Sequence, residues 1–327
     1  MGLHVDDGLR VQIEAISRAV AERLRRPYAD FEAGVRKQAT IPDGAIPLGL
    51  AGTAPGLVLE TAGAAVVVLP GPPRELQRLW PRALETDPVR EVLARATPPE
   101  HRVLRFYGAS ESEVARALAE AGGEPAGVVA TICARDFEIH VDLFGPADGL
   151  GTTLRERLAR HLFAEEEQSV EELVLEACRA RGWTLATAES CTGGMVAERL
   201  TSVPGSSDAF VGAVVAYANG VKERELGVTT LAEFGAVSAE TAAAMATGVR
   251  ARLGADVGVA VTGIAGPGGG TPEKPVGLVY VHAETPEASH GIDFTFPSDR
   301  ESIRRRATVA ALHLVRRLLT QNRDEAA

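Results

Sequence analysis

The chain is predicted to fold as an α/β protein, on three observations. From Val170 onward, strand-like and helix-like segments alternate, the pattern of a sheet layered with helices. Val257 to Val261 is a short unbroken apolar run of the kind buried on both faces of a sheet. Residues 102 to 145 carry a different rhythm, a strand, a helix and a hairpin, which marks a separate small α+β unit.

In chain order, Leu9, Ile13, Ile16, Val20 and Leu24 recur at helical spacing, which predicts a helix over residues 9 to 26. Arg36 to Gly44 is expected as a loop closed by Pro42-Asp43-Gly44. Leu57–Leu59 and Ala64–Leu69 are expected as strands, the second as a buried parallel one. Pro70-Gly71-Pro72-Pro73 then opens a helix, because proline suits the first helical turn. Val103–Tyr107 is a strand, and Ser110 starts a helix to Ala121. Residues 127–134 and 137–143 form a hairpin turning at Arg135-Asp136. From the turn at Pro146–Gly149 to about Ser169 the chain reads as a link, with Glu165–Glu167 a solvated acidic run.

The remaining elements are helices over Val170–Arg181, Met195–Leu200, Ala239–Leu253 and Arg300–Thr320, and strands over Leu185–Ala188, Val211–Tyr217, Val257–Val261 and Val276–Ala283. Gly291–Phe296 is expected as an edge strand, and the tail from Gln321 is expected to fray.

The 327 residues suffice for two domains or three small ones. A net charge of −10 disfavours non-specific binding to nucleic acid or anionic membranes, which needs a basic face. Three scattered cysteines make neither a disulfide framework nor a zinc site, which points to a reducing cytoplasm. No apolar stretch reaches the roughly 18 residues of a membrane span.

Four polar clusters carry possible chemistry. Glu189-Ser190-Cys191-Thr192-Gly193-Gly194 sits between a strand and a helix. Ser190 there is either a helix cap or a nucleophile with an oxyanion site beside it. Tyr217-Ala218-Asn219 with Lys222 follows another strand. Lys222 is either a surface amine or, if desolvated, a general base. Thr262 to Gly270, with five glycines in the eight residues from Gly263, directly follows a buried strand, which suits a ligand loop but fits neither a Walker loop nor a dinucleotide fingerprint. Arg300 and Arg304 lie one turn apart at the start of the last helix, opposing its dipole. Either a phosphate or Asp299 and Glu301 offset them. Only His282, His290 and His313 occur in this half, none in a glycine-rich turn, so a Ser-His-Asp triad has no base and lysine is the natural partner.

Together with Pro204-Gly205-Ser206-Ser207, Gly235-Ala236-Val237-Ser238 and Lys274-Pro275-Val276-Gly277, these clusters closely resemble the C-terminal domain of the CinA (competence/damage-inducible) family, the nicotinamide-nucleotide amidohydrolase, over residues 165–322. The resemblance implies a three-layer α/β domain that converts nicotinamide mononucleotide to nicotinate mononucleotide and ammonia, a step of pyridine nucleotide salvage, without cofactor or metal. It further implies Ser190 as nucleophile, Lys222 as general base and Tyr217 beside them. Thr192, Gly193, Gly194, Asn219, Thr262, Gly263 and Gly266 would line the substrate, with Arg300 or Arg304 on its phosphate. Ser298 stands where the family usually has glycine.

Residues 99–150 resemble the family's KH-like linker domain. Residues 1–98 resemble a molybdopterin-binding-like domain through Gly52-Thr53-Ala54-Pro55-Gly56 and Leu69–Glu75, without its opening strands, Asp6-Asp7 matching the acidic end of an early turn. In some relatives that domain hydrolyses ADP-ribose with a divalent metal. Here that activity is expected to be absent or impaired, and Val66, Val67 and Val68 to lack cover. The alternatives are a metal-dependent pyrophosphatase acting through the first half and a non-catalytic competence or damage-response protein. The partner expected is a small nucleotide, with no nucleic acid and no membrane, in a homodimer.

Overall fold

The computed structural model describes residues 2–321. The chain separates into two compact units, Met1–Pro98 and Pro99–Ala327. The tail from 322 onward, expected to fray, lies outside the described residues, and Gln321 closes the last helix.

The first unit begins with β1 (Leu3–Val5), α1 (Asp7–Leu24), α2 (Ala29–Gln38) and β2 (Thr40–Pro42). The Asp6 carboxylate caps α1, accepting from the Leu9 N–H at 2.7 Å. Leu9 and Ile13 of α1 bury against Val35, Ile41 and Leu57. The expected loop at 36–44 is therefore the end of a helix and a strand, since Val35, Ala39 and Ile41 are drawn into that core. β3 (Ile46–Leu50), β4 (Pro55–Thr61) and β5 (Ala64–Val68) form an antiparallel meander, with α3 (Pro73–Leu84) and α4 (Asp87–Arg95) packed on it. The expectation of a buried parallel strand at 64–69 is corrected here. β5 is an antiparallel edge strand with Val66 and Val68 exposed and only the face bearing Val67 packed. An apolar run says nothing of how many faces are covered.

The second unit holds two sheets. β6 (His101–Tyr107), α5 (Glu111–Glu120), β7 (Val129–Arg135), β8 (Glu138–Phe144), α6 (Asp148–Arg157) and β9 (Leu162–Ala164) make an antiparallel sheet in the order β7-β8-β6-β9. The Ser110 hydroxyl caps α5. The hairpin turns one residue later than expected, at Asp136-Phe137, both with positive φ, the geometry of a tight two-residue turn. Residues 146–169 are more than a link. They contain α6, whose Leu150 and Leu154 fill the core with Phe106 and Leu143, and the edge strand β9.

A capping box of Ser169 and Glu172 starts α7 (Val170–Arg181). There follow β10 (Leu185–Glu189), α8 (Met195–Thr201), β11 (Phe210–Val215), α9 (Asn219–Leu226), α10 (Leu231–Phe234), α11 (Ala239–Leu253), β12 (Val257–Gly263), β13 (Leu278–Glu284), β14 (Ser289–Thr295) and α12 (Arg300–Gln321). The sheet order is β11-β10-β12-β13-β14, with β10 parallel to both its neighbours and β13 and β14 antiparallel. Three layers result. Val257, Val259 and Val261 face α7, α8 and α12, while Ala186, Ala188 and Ala260 face α9 and α11. The small residues on the second face let α11 approach closely: a Cβ on Gly258 would stand 2.4 Å from the Ala246 carbonyl oxygen.

Candidate active site

Sheet register assembles the site. Glu189, the last residue of β10, pairs with Val215 of β11 and Val261 of β12, so three parallel strands end together. The ladder runs one step further through Ser190 N–H to Val261 O and Ala216 N–H to Glu189 O. Ser190, Ala216 and Thr262 thereby meet outside the carboxyl ends of the strands, where α/β sheets form ligand crevices.

Ser190 does not cap the helix that follows it. That task falls to Glu189, whose buried carboxylate accepts from the N–H groups of Gly194, Val196 and Ala197 at 2.9–3.1 Å. The first-turn donors of α8 are thus occupied from inside. Gly193 and Gly194 both take positive φ, which lets the chain double back between strand and helix.

The Ser190 hydroxyl faces an amine. Lys222 Nζ lies 3.0 Å from Ser190 Oγ and donates to the Ala216 carbonyl at 2.8 Å. Lys222 belongs to the first turns of α9, and its side chain is 1% exposed. Burial lowers its pKa below the ordinary lysine value, with the Cys191 thiol a smaller opposing influence. Burial likewise pushes the Cys191 thiol up to about 12, leaving it a protonated neighbour.

The other residues singled out from the sequence occupy distinct positions. Thr192 is fully buried, and its Oγ1 has no hydrogen-bond partner among the described residues. Tyr217 lies two residues beyond β11, 62% exposed, and its hydroxyl accepts from Arg300 at 2.8 Å. Asn219 opens α9 on the surface. The Thr262 hydroxyl is engaged with the Ala236 carbonyl at 2.6 Å. Gly263 is the last residue of β12, pressed so closely on β13 that a Cβ would sit 2.7 Å from the Leu278 carbonyl oxygen. The glycine-rich loop therefore begins later than its composition implies. Gly266 is buried, and its carbonyl accepts from Arg300 at 2.7 Å. Arg304 turns toward the Ser190 turn instead, donating to Cys191 O at 3.0 Å and Thr192 O at 2.7 Å. Neither acid expected to offset the arginines pairs with them: Asp299 holds Ser302, and Glu301 pairs with Arg305.

Two further participants have no role that the sequence makes legible. Glu189 is a signal only in hindsight, an acid just ahead of a Gly-Gly helix start. Lys274 reaches the Phe234 and Val237 carbonyls at 2.9 and 2.7 Å and ties the glycine-rich loop to the segment before α11. A cavity of about 680 Å³ elsewhere in the unit is lined by Arg105, Glu138, Glu171 and Arg199 among others, and by none of Ser190, Tyr217 or Lys222. His101, Asp142 and Glu167 could converge on a metal ion, but Asp142 is already engaged by His101 and Arg105.

A family model described as CinA C-terminal domain matches residues 167–319. A CinA-like protein from Mycolicibacterium gilvum is 42% identical over 331 residues, covering 97% of this chain and 78% of that protein. The chain belongs to the CinA family. A CinA-like protein from Mycobacterium tuberculosis is 43% identical over 308 residues, 90% of this chain and 70% of its own length. The crystal structure of competence/damage inducible protein CihA from Agrobacterium tumefaciens is 39% identical, covers 47% of this chain and 97% of that one, and superposes with a TM-score of 0.44. No helix among the described residues is long and apolar enough to cross a membrane.

Proposed function

We propose that this CinA-family protein hydrolyses the carboxamide of nicotinamide mononucleotide, giving nicotinate mononucleotide and ammonia, with Ser190 and Lys222 as the catalytic pair. One observation carries the reading: a buried amine of lowered pKa, 3.0 Å from a serine hydroxyl at the common end of three parallel strands. An exposed lysine is a cation and cannot take a proton, whereas a desolvated one can serve as base.

The neutral Lys222 amine takes the Ser190 proton as Oγ adds to the carboxamide carbon. The carbonyl π electrons move to oxygen, and the resulting ammonium gives its proton to the departing nitrogen as the C–N bond breaks. Ammonia leaves an acyl-serine ester. Water then adds, its proton passing to Lys222 and back to Ser190 Oγ, and nicotinate mononucleotide departs. The pair by itself supplies nucleophile, base and acid.

Arg300 is assigned to the substrate phosphate. Its guanidinium is exposed beside Tyr217 and the Gly266 loop, while Arg304 directs Nε and one Nη at the Ser190 turn. Tyr217 then serves by holding Arg300.

Ammonia release from nicotinamide mononucleotide by Ser190→Ala decides the matter. A fall of at least about 10³-fold with an unchanged melting temperature is expected. Turnover retained near the wild-type rate would reject the assignment.

A further inference from the structure

We propose that Arg304 is a positioning residue for amide hydrolysis, holding and polarising the peptides after Ser190 so that their N–H groups receive the oxyanion. The inference rests on the amidohydrolase reading and assigns part of its electrostatics.

Arg304 stands one turn into α12, still near the positive end of the helix dipole, which disfavours a cation. Its partners are the two carbonyl oxygens of Cys191 and Thr192. Each carbonyl shares a peptide unit with the next N–H, those of Thr192 and Gly193, and among the described residues the one cis bond is at Gly266-Pro267. In a trans peptide the C=O and N–H point in opposite directions, so both N–H groups are turned away from Arg304. A charged donor on each oxygen also strengthens the N–H at the other end of the same unit as a donor.

Those donors have no oxygen or nitrogen partner. Among the described residues, the N–H groups of Cys191 and Thr192 meet only the weakly accepting Cys191 thiol, and that of Gly193 meets no acceptor. Cys191 and Thr192 are nevertheless buried, and a buried N–H without a strong acceptor is costly unless something else completes it. The orphan hydroxyl of Thr192, fully buried in the same turn, is an independent sign of an absent partner. The neighbouring helix donors cannot substitute, since Glu189 already holds those of Gly194, Val196 and Ala197. What fits unpaired donors beside a nucleophilic hydroxyl is the negative oxygen of a tetrahedral adduct. Glu189 on one side of the turn and Arg304 on the other keep it rigid before substrate arrives.

The experiment compares Arg304→Met and Arg304→Lys with the wild type in two assays. The first is steady-state ammonia release. The second is the rate of Ser190 phosphorylation by diisopropyl fluorophosphate, whose phosphoryl oxygen needs the same donors but whose reaction needs no substrate recognition. For Arg304→Met, kcat is expected to fall about 10²- to 10³-fold with KM changed less than about threefold. Phosphorylation should slow in parallel, and Arg304→Lys should recover part of both. A raised KM with kcat preserved would place Arg304 on the substrate and overturn the proposal, as would phosphorylation of Arg304→Met at the wild-type rate. Should Arg304→Met unfold, Arg304→Lys assayed below its melting transition separates the same two outcomes. A wild type that is phosphorylated at Ser190 yet releases no ammonia would sink the substrate assignment while leaving the role of Arg304 to the second assay.

Discussion

Glu138, at the start of β8, accepts a 2.7 Å hydrogen bond from Nε2 of His313, in the middle of α12. The imidazole is completely buried, stacked on Tyr107 with ring centroids 3.8 Å apart and edge-on to Phe163. Arg316 Nε donates toward its other nitrogen at 3.4 Å, which makes His313 a neutral ring protonated at Nε2. A bond between a carboxylate of the small sheet and a ring of the closing helix fixes how those elements meet.

That pair predicts acid sensitivity. Burial lowers His313 to about 4, outweighing the pull of Glu138. Burial alone would raise Glu138, but the hydrogen bonds from His140 and His313 bring it down to about 2. Both folded values lie below the unfolded ones of 6.5 and 4.5, so the unfolded chain binds protons first and stability falls as pH falls. His313 acts between about 6.5 and 4, and Glu138 between about 4.5 and 2. The first window should cost up to about 3 kcal/mol. Urea unfolding from pH 7.5 to 4 checks this, because His313→Gln keeps a donor but cannot titrate. If that variant retains the wild-type slope, the assignment fails.

If Lys222 is the base of the proposed reaction, it should set the ascending limb of the rate profile. Its folded pKa lies below the ordinary 10.5, so kcat/KM should rise through a pKa lower than that of a free lysine and level off once the amine is neutral. The same shift destabilises the fold wherever an unfolded lysine would be protonated. Lys222→Met should therefore abolish turnover and yet melt higher, by about 2–4 °C per kcal/mol recovered. An ascending limb at the ordinary lysine value, or a variant that melts well below wild type, would count against a desolvated base.

Arg300 should act on substrate affinity. Arg300→Met is expected to raise KM for the mononucleotide about 10- to 100-fold with kcat nearly unchanged, a bond to phosphate being charge-assisted. Tyr217→Phe, which removes the acceptor that holds Arg300, should do so more weakly. With the phosphate-free nucleoside as substrate, Arg300→Met and wild type should match; a persistent difference would remove the phosphate from the picture.

The cysteines should divide by exposure. Burial pushes the thiols of Cys178 and Cys191 up to about 12, while Cys133 is exposed. Iodoacetamide at pH 8 should modify Cys133 alone, since the thiolate is the reactive form. Peptide mapping that found rapid modification at Cys191 would mean that the Ser190 turn opens in solution.

Much of this protein could be read along the chain. The bounds of α7 and α11 fall where helical spacing and capping residues put them, and the strand-helix alternation after Val170 announces the α/β layering. These are local properties, set by side-chain period and by residues a few positions apart. The segment 146–169 was illegible because α6 and β9 are held by a distant core, Leu154 on Phe106 and Leu143, more than by their own propensities. The expected lack of cover holds for Val66 and Val68 but not for Val67, which points to the packed face of β5, a distinction that depends on what folds against the strand.

The site divides the same way. Ser190, Tyr217, Lys222, Thr262 and the two arginines stand out along the chain as motifs, but their separate surroundings do not. Register among three parallel strands brings residues 190, 216 and 262 together, and α9 carries Lys222 back beneath Ser190. Whether Ser190 caps a helix, whether Lys222 is dry, and which arginine faces the turn all depend on groups far apart in the chain and adjacent only after folding. Pattern reports what each segment prefers; desolvation and hydrogen-bond pairing, which decide the chemistry, exist only once the segments meet.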